Sequence, residues 1–164
     1  MFTGLNVHMY KMNLHPTRYY AGLSKTKKAK RFREIQKFGA LESNDPHAYV
    51  GFKTDVGIKT KQSSYVKTLK KRFASLGIHG TQTLKQKAKI SGVPYRLLKE
   101  SYDRGLAAWR TGHRPGATAQ QWSHARIASL LVCGKTYYGP DADIVRKAKS
   151  QSRRAKRWWK DCRP

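Results

Sequence analysis

A large excess of positive charge limits how this chain can exist. Its 164 residues include 35 Lys and Arg but only nine Asp and Glu, which gives a formal net charge of +26 at pH 7. Repulsion among so many like charges opposes a compact state in isolation. The sequence therefore predicts a polyanionic partner, and three classes stay open: nucleic acid, an acidic protein surface and an anionic membrane.

The apolar content indicates that the chain folds and is more than a disordered basic tail. Apolar residues make up 38% of the sequence and aromatic residues 11%, whereas disordered segments contain few aromatics. No apolar run reaches the length of a membrane span, and the N-terminus lacks the apolar region of a signal peptide. We therefore expect a protein made in the cell interior, with no membrane-spanning segment.

Helical periodicity predicts a mainly α fold, a compact bundle of about four to five short helices. Ser24 is a candidate N-cap for a basic helix that stops at Gly39. Alternating apolar residues between Ala48 and Ile58 predict a small β-hairpin. The predicted organisation is an N-terminal arm over 1–23, a basic helix with an irregular or hairpin segment over 24–62, a helical core over 63–148, and a basic tail over 149–164. We expect both basic arms to be extended.

The first basic helix carries one narrow apolar stripe, formed by Ala29, Phe32, Ile35 and Phe38. Its remaining surface is strongly cationic, so it either tracks phosphates or is simply a solvated face. The candidate binding residues on this helix are Lys27, Lys28, Lys30 and Arg31.

The stretch "AKISGVPYRLLKESY" over 88–102 has the spacing of a helix-turn-helix. Ala88 is the small residue where the two helices would touch, Gly92 makes the turn, and Val93 with Leu98 fixes the corner. An ordinary pair of packed helices uses the same logic and stays open. In a DNA-binding version, the second helix presents these residues to the major groove: Tyr95, Arg96, Lys99 and Glu100.

A second corner is predicted in "WRTGHRPGATAQQW" over 109–122. Gly112 ends one helix, a Pro-Gly turn follows, and Thr118 begins the next helix. Arg114 is then free either to hold an anion at the start of that helix or to pair with a carboxylate or with helix C-terminal carbonyls. We include Arg114 among the candidate anion-binding residues.

The C-terminal stretch "RKAKSQSRRAKRWWKDCRP" contains nine Lys or Arg and one Asp. Its basic side chains would release counterions from phosphates, and its two indoles would stack on unpaired bases. Two alternatives are that the indoles anchor the tail in a pocket of a neighbouring protein or lie at a membrane surface. The candidate binding residues are Arg153, Arg154, Lys156, Arg157, Trp158 and Trp159.

Neither catalysis nor a metal site is indicated. Asp141 and Asp143 are interpreted as the cap and first-turn residues of the last helix, where the helix dipole favours negative charge. Cys133 is predicted to fill a core position, and two cysteines define no disulfide framework. The spacing of the cysteines and histidines matches no compact zinc motif. We expect no catalytic residues, no metal and no cofactor.

Five blocks of the sequence form a distinctive set: "RYYAGLS" (18–24), "QSSYVK" (62–67), "SGVP" (91–94), "RGLAAWRTGHRPGATAQQWSHARIASLLVCGKT" (104–136) and "GPDADIVRKA" (139–148). Together they resemble a family of small basic proteins of unassigned function from large DNA viruses of algae and protists and from some tailed phages. The residues that fit the pattern of the central block are Gly105, Gly112, Arg114, Pro115, Thr118, Trp122, Ala125 and Arg126.

The resemblance implies a viral setting, in which proteins this basic are often packaged. The expectation is a non-enzymatic minor capsid or virion component within a large assembly, located in the virion. It would cement neighbouring virion proteins, contact the packaged viral DNA through its basic arms, or do both, and Arg126 is added to its binding residues. The alternatives are a helix-turn-helix DNA-binding protein of viral replication or transcription and, third, a nuclease or other nucleic-acid enzyme.

Overall fold

The fold over residues 15–163, which are the residues that the computed structural model describes, is mainly helical, as predicted. Three short 3-10 helices cover Thr17–Tyr20, Pro46–Tyr49 and Lys53–Asp55. The eight α-helices of this range are α1 (Lys25–Gly39), α2 (Ser64–Ser75), α3 (Leu84–Ser91), α4 (Tyr95–Trp109), α5 (Ala119–Leu131), α6 (Lys135–Tyr138), α7 (Ala142–Gln151) and α8 (Arg153–Trp158). The prediction of four to five helices was too low.

The chain divides into two compact units, each built from two separate stretches of sequence. Within the described range, the first unit combines residues 15–61 with Leu106–Ala119. The second combines Gln62–Gly105 with residues 120–163.

The first unit is built on the apolar stripe of α1. Phe32, Ile35 and Phe38 are buried together with Tyr20 and Phe52. The helix begins at the predicted cap, because the Ser24 side chain accepts a hydrogen bond from the Lys27 N–H at 3.4 Å. The spacing of apolar residues in α1 therefore determines which of its faces packs.

The predicted hairpin was wrong, since no strand occurs within residues 15–163. The alternation of burial is nevertheless present, because Ala48 and Phe52 are buried while Val50 is 72% exposed. Gly51 interrupts any extended run with a φ of +97°, a conformation that belongs to turns. Short 3-10 turns therefore produce the period of two that suggested strands.

The core of the second unit draws on all seven of its α-helices. Side chains of α2 to α8 meet in one apolar cluster. Its most deeply buried large members include Phe73, Leu97, Leu98, Ile127, Leu130, Leu131, Ile144 and Trp159.

The C-terminal segment is folded into this core and does not extend as an arm. Helix α8 is capped by Ser152, whose side chain accepts from the Ala155 N–H at 3.1 Å. Ala155 and Trp159 are both buried, with Trp159 only 1% exposed. The spacing of these two residues, i and i+4, places them on one face of a helix, which explains why the segment docks.

The N-terminal arm predicted over 1–23 lies largely outside the described residues. Within the part that is described, Tyr20 and Leu23 are buried. This stretch is therefore packed within the first unit.

A disulfide joins Cys133 to Cys162 in the second unit. Their Cα atoms lie 5.6 Å apart, a separation that suits such a bond. Cys133 is partly buried and packs against the apolar cluster of the second unit, and its sulfur belongs to a disulfide that was not predicted from the sequence. The bond ties the segment after α5 to the segment after α8.

Within the described residues, no helix combines the length and the apolar character needed to cross a bilayer.

Candidate nucleic-acid interface

The carboxylate of Asp55 is held inside the first unit by two basic side chains. Arg31 Nη1 donates to Asp55 Oδ1 at 2.6 Å, and His113 Nε2 lies 2.7 Å from Asp55 Oδ2. A second Arg31 nitrogen donates to the His113 carbonyl at 2.5 Å. Arg31 is fully buried, so its prediction as a partner-binding residue was wrong.

His113 is also fully buried, and acceptors face both of its ring nitrogens. Nδ1 lies 2.8 Å from the Trp109 carbonyl, and the imidazole stacks on the Trp109 indole with centroids 4.3 Å apart. The histidine is therefore a structural member of the unit.

The pKa of Asp55 reflects these contacts. Burial on its own raises the pKa of this carboxyl. The hydrogen bond and charge of His113, the Gly116 N–H and Arg31 outweigh burial and hold the pKa below its usual value. Asp55 is thus kept ionised by its partners.

A second carboxylate, Asp141, is fully buried in the second unit. It accepts from Ser101 Oγ at 2.5 Å, from Arg126 Nη2 at 2.6 Å and from Arg104 Nη1 at 3.1 Å. Asp141 occupies the N-cap position of α7, as predicted, but its side chain makes no cap hydrogen bond. Arg126 donates to both carboxylate oxygens of Asp141, so we no longer count it among the residues that bind a partner.

Asp143 lies in the first turn of α7, as predicted. It receives both Arg104 Nη2 at 2.7 Å and Arg104 Nη1 at 2.9 Å. The hydrogen bond from Arg104 is the main cause that holds the pKa of Asp143 well below its usual range. Asp141 and Asp143 therefore both bind arginines. Within residues 15–163, no group of three or more His, Cys, Asp or Glu is arranged to hold a metal ion.

The predicted helix-turn-helix corner has the expected local geometry. Ala88, Val93 and Leu98 are buried, and Gly92 ends α3 with a φ of +76°. A Cβ at Gly92 would collide with Arg154 of α8, and Ser152 Oγ donates to the Gly92 carbonyl at 2.7 Å. The turn therefore packs against the start of α8.

The exposed side of α4 is largely neutralised by its own carboxylates. Lys99 pairs with Asp103 at 2.7 Å, and Arg104 pairs with Glu100 at 2.7 Å. Arg96 donates to the Gln151 side chain at 3.2 Å. This face therefore presents less free positive charge than its basic residues suggest.

Helix α8 presents four basic side chains that are all exposed: Arg153, Arg154, Lys156 and Arg157. We call these four residues the α8 cationic surface. None of them forms an ion pair with a residue of the described range. Arg154 bridges to α3, because its Nη2 donates to the Lys89 carbonyl at 2.5 Å. The α8 cationic surface is the strongest unneutralised cluster among the predicted binding residues of the second unit.

The two tryptophans beside this surface face the other way. Trp159 Nε1 donates to the Leu130 carbonyl at 3.1 Å, and Trp158 Nε1 donates to the Leu131 carbonyl at 2.8 Å. The Arg72 guanidinium lies 3.5 Å from the centre of the Trp158 ring. The prediction that Trp159 binds a partner was therefore wrong, since its side chain is buried. Trp158 is partly buried, with Leu131 and Arg72 as its contacts within the unit.

The remaining predicted residues belong to the first unit. Lys27, Lys30 and Arg114 are exposed, and Lys28 is partly buried. None of the four forms an ion pair with a described residue, so the expected alternative of a carboxylate partner for Arg114 does not occur within that range.

Sequence reasoning missed a basic pair in the second unit. Lys87 Nζ lies 3.0 Å from His124 Nδ1, although the two residues are 37 positions apart. Only the packing of α3 against α5 brings them together, so no local motif pointed to this pair.

Comparison with known proteins gives a single finding. No curated protein and no solved structure matches the chain. A family model described as "Family of unknown function (DUF5824)" matches residues 16–148, which is most of the sequence. The chain therefore belongs to this family of unknown function.

Proposed function

We propose that this chain is a non-enzymatic structural protein that binds nucleic acid through basic side chains left without counter-charges on its surface. In the viral setting that the resemblance implies, it is a minor virion component that contacts the packaged DNA and its neighbouring virion proteins. The α8 cationic surface is its principal contact in the second unit.

The observation that carries this proposal is the placement of the carboxylates. Asp55, Asp141 and Asp143 neutralise basic groups within their own units. Within residues 15–163, the Lys and Arg residues in ion pairs are Arg31, Lys99, Arg104 and Arg126. Most of the surplus charge therefore stays on the surface, where phosphates can neutralise it and release counterions.

The anchoring of α8 supports a contact with the phosphate backbone. Ala155 and Trp159 fix one side of the helix in the core, which holds Arg153, Lys156 and Arg157 outward on a rigid element. Contacts with phosphates position a protein on nucleic acid but carry no base sequence. Because the indoles are occupied inside the unit, we expect binding without strong sequence preference.

The test compares two triple variants that lose the same charge. Arg153, Lys156 and Arg157 are replaced by Gln in one variant of the full chain. In the matched control, the exposed residues Lys53, Lys59 and Lys61 of the first unit are replaced by Gln. Affinity for a duplex DNA is measured by fluorescence anisotropy over a series of salt concentrations.

We expect the α8 variant to flatten the plot of log affinity against log salt by about 0.9 for each DNA phosphate that the variant no longer neutralises. The control variant should keep a steeper slope. Equal slopes for the two variants would remove the α8 cationic surface from the interface.

The virion role is tested by the protein content of purified virus particles. Abundant stoichiometric copies of this chain in the particles would support the role, and its absence from them would contradict it.

A second candidate is a helix-turn-helix protein that reads the major groove with α4. The buried residues Ala88, Val93 and Leu98 around Gly92 favour it, because they reproduce the corner that such motifs need. The pairing of Lys99 with Asp103 argues against it. Replacing Arg96 and Lys99 by Ala should abolish sequence-selective binding if α4 reads bases, and unchanged affinity would exclude this version.

A further inference from the structure

Tyr95, the first residue of α4, is an aromatic side chain that the core leaves accessible. The next turn of the helix buries Leu97 and Leu98 completely. Because residues of a helix point in different directions around its axis, burial of these two leaves Tyr95 and Arg96 on the solvent side. Tyr95 is 40% exposed, whereas Trp159 is 1% exposed. The ring of Tyr95 can therefore contact a partner that the buried indole cannot.

The ammonium group of Lys85 on α3 lies over the Tyr95 ring. Its Nζ is 5.8 Å from the ring centroid, which is near the outer limit of a cation–π contact. Lys85 is itself exposed, so its ammonium can move from the ring to a phosphate oxygen while losing only a weak contact. An accessible aromatic ring and a cation are thus placed together by the packing of α3 beside the start of α4.

The positive charge around Tyr95 is not cancelled by neighbouring acids. Neither Lys85 nor Arg96 takes part in an ion pair with any residue in the described part of the chain. Glu100 and Asp103, the two carboxylates of α4, already pair with basic side chains of the same helix. An anionic partner at Tyr95 therefore meets free cations and no unpaired carboxylate of α4.

The same corner of the second unit continues into the α8 cationic surface. Ser152 Oγ donates to the Gly92 carbonyl at 2.7 Å, which holds the start of α8 against the turn before α4. Arg96 donates to the side chain of Gln151 at 3.2 Å. Because Gln151 ends α7 and Ser152 alone separates α7 from α8, Arg96 adjoins the first residues of the α8 cationic surface.

We propose that Tyr95, Lys85 and Arg96 bind an unpaired nucleotide of a single-stranded nucleic acid. The base stacks on the accessible ring of Tyr95, and Lys85 and Arg96 contact the phosphates that flank it. The strand continues along the α8 cationic surface. This inference rests on the proposed function, because it takes the polyanion to be nucleic acid, and it adds that the partner has unpaired bases.

The exposed ring favours nucleic acid over the other polyanionic partners. Every base presents a flat face on which an aromatic side chain can stack, and the bases of a duplex are already stacked on each other. An acidic protein or an anionic membrane is attracted by the same cations but offers no base. The contribution of Tyr95 to binding therefore distinguishes these partners.

The test compares two labelled strands of equal length that carry the same phosphates, an oligo(dT) and a fully abasic oligonucleotide. Their affinities for the full chain are measured by fluorescence anisotropy at one salt concentration. Tyr95→Leu should weaken binding of oligo(dT) by about tenfold, because one stacking contact is lost, and should leave binding of the abasic strand unchanged. Tyr95→Phe keeps the ring and should bind oligo(dT) as the wild type does.

Tyr138→Leu is the matched control, because Tyr138 is 43% exposed in the same unit and its hydroxyl donates to the Arg163 carbonyl. This variant should bind both strands as the wild type does. Unchanged binding of the abasic strand also shows that Tyr95→Leu is folded. The site does not exist if Tyr95→Leu weakens both strands equally, if it weakens neither, or if the control weakens oligo(dT) as much. Weaker binding of Tyr95→Leu to phosphatidylserine vesicles, with oligo(dT) affinity unchanged, would assign the ring to a membrane and overturn the proposal.

The outcomes separate the site from the proposed function. If duplex DNA binds with strong salt dependence while Tyr95→Leu does not distinguish the two strands, the site falls and the proposed function stands. If oligo(dT) binding depends on Tyr95 while the α8 triple variant has the same salt slope as its control, the site stands and the α8 cationic surface is excluded. Binding of neither single strands nor duplex would overturn both.

Discussion

The two units bury a carboxylate in different ways. In the first unit, Asp55 is shared between Arg31 and His113 and remains partly accessible to solvent. In the second unit, Asp141 is fully buried between Arg104 and Arg126. Water cannot replace the charge of the buried Asp141 if that charge is lost. Solvent reaches the partly exposed Asp55, so water can replace some of its contacts. The comparison predicts that the second unit depends more strongly on its carboxylate.

The largest expected effect is that of Asp141→Asn. The substitution removes the charged partner of Arg126, while Arg104 keeps Asp143 and Glu100, and breaking a buried ion pair in this way costs about 3–5 kcal/mol of unfolding free energy. Urea denaturation followed by circular dichroism measures the loss. Asp103→Asn is the control, because it removes an exposed partner of Lys99 and should leave stability within experimental error. Equal losses in the two variants would refute the comparison.

A smaller effect is expected from removal of the disulfide of the second unit. Cys162→Ser prevents the bond between Cys133 and Cys162, which are 29 residues apart in sequence. A disulfide that closes a loop of this length contributes about 3 kcal/mol to the free energy of unfolding. Thermal unfolding of the variant and of the reduced wild-type chain should show the same lowered midpoint. A midpoint that reduction does not change would mean that the bond contributes nothing to the second unit.

The smallest effect concerns pH and the first unit. Because the pKa of Asp55 is lower in the folded state than in the unfolded chain, its ionised form stabilises the fold. This contribution is complete above about pH 4 and is lost as the pH falls through the folded-state pKa. Amide hydrogen exchange in α1, compared between wild type and Asp55→Asn, should show a shallower acid-induced loss of protection in the variant. Identical pH profiles would show that Asp55 does not couple the first unit to pH.

The sequence was informative where short-range rules decide the structure. The stripe of Phe32, Ile35 and Phe38, the cap at Ser24 and the corner around Gly92 follow from residue spacing and backbone preference. These features depend on neighbours within about two turns of a helix, so they can be predicted without knowing the tertiary contacts.

The sequence misled where a charged or aromatic residue turned inward. Arg31 shares a helix face with Ile35 and Phe38 at i, i+4 and i+7, which is a signal of burial that its charge concealed. Its carboxylate partner, Asp55, lies 24 residues away, and no local pattern links the two. The same applies to the two tryptophans, whose carbonyl partners follow only from the packing of the C-terminal segment on α5.

Asp55, Asp141 and Asp143 pair with basic groups within their own units. The central proposal is that an external polyanion neutralises the surplus positive charge on the surface. The most direct test is the affinity of the unmodified full chain for duplex DNA as salt is raised. We predict that log affinity falls linearly with log salt, with a slope of several units. Absent or salt-independent binding would contradict the claim.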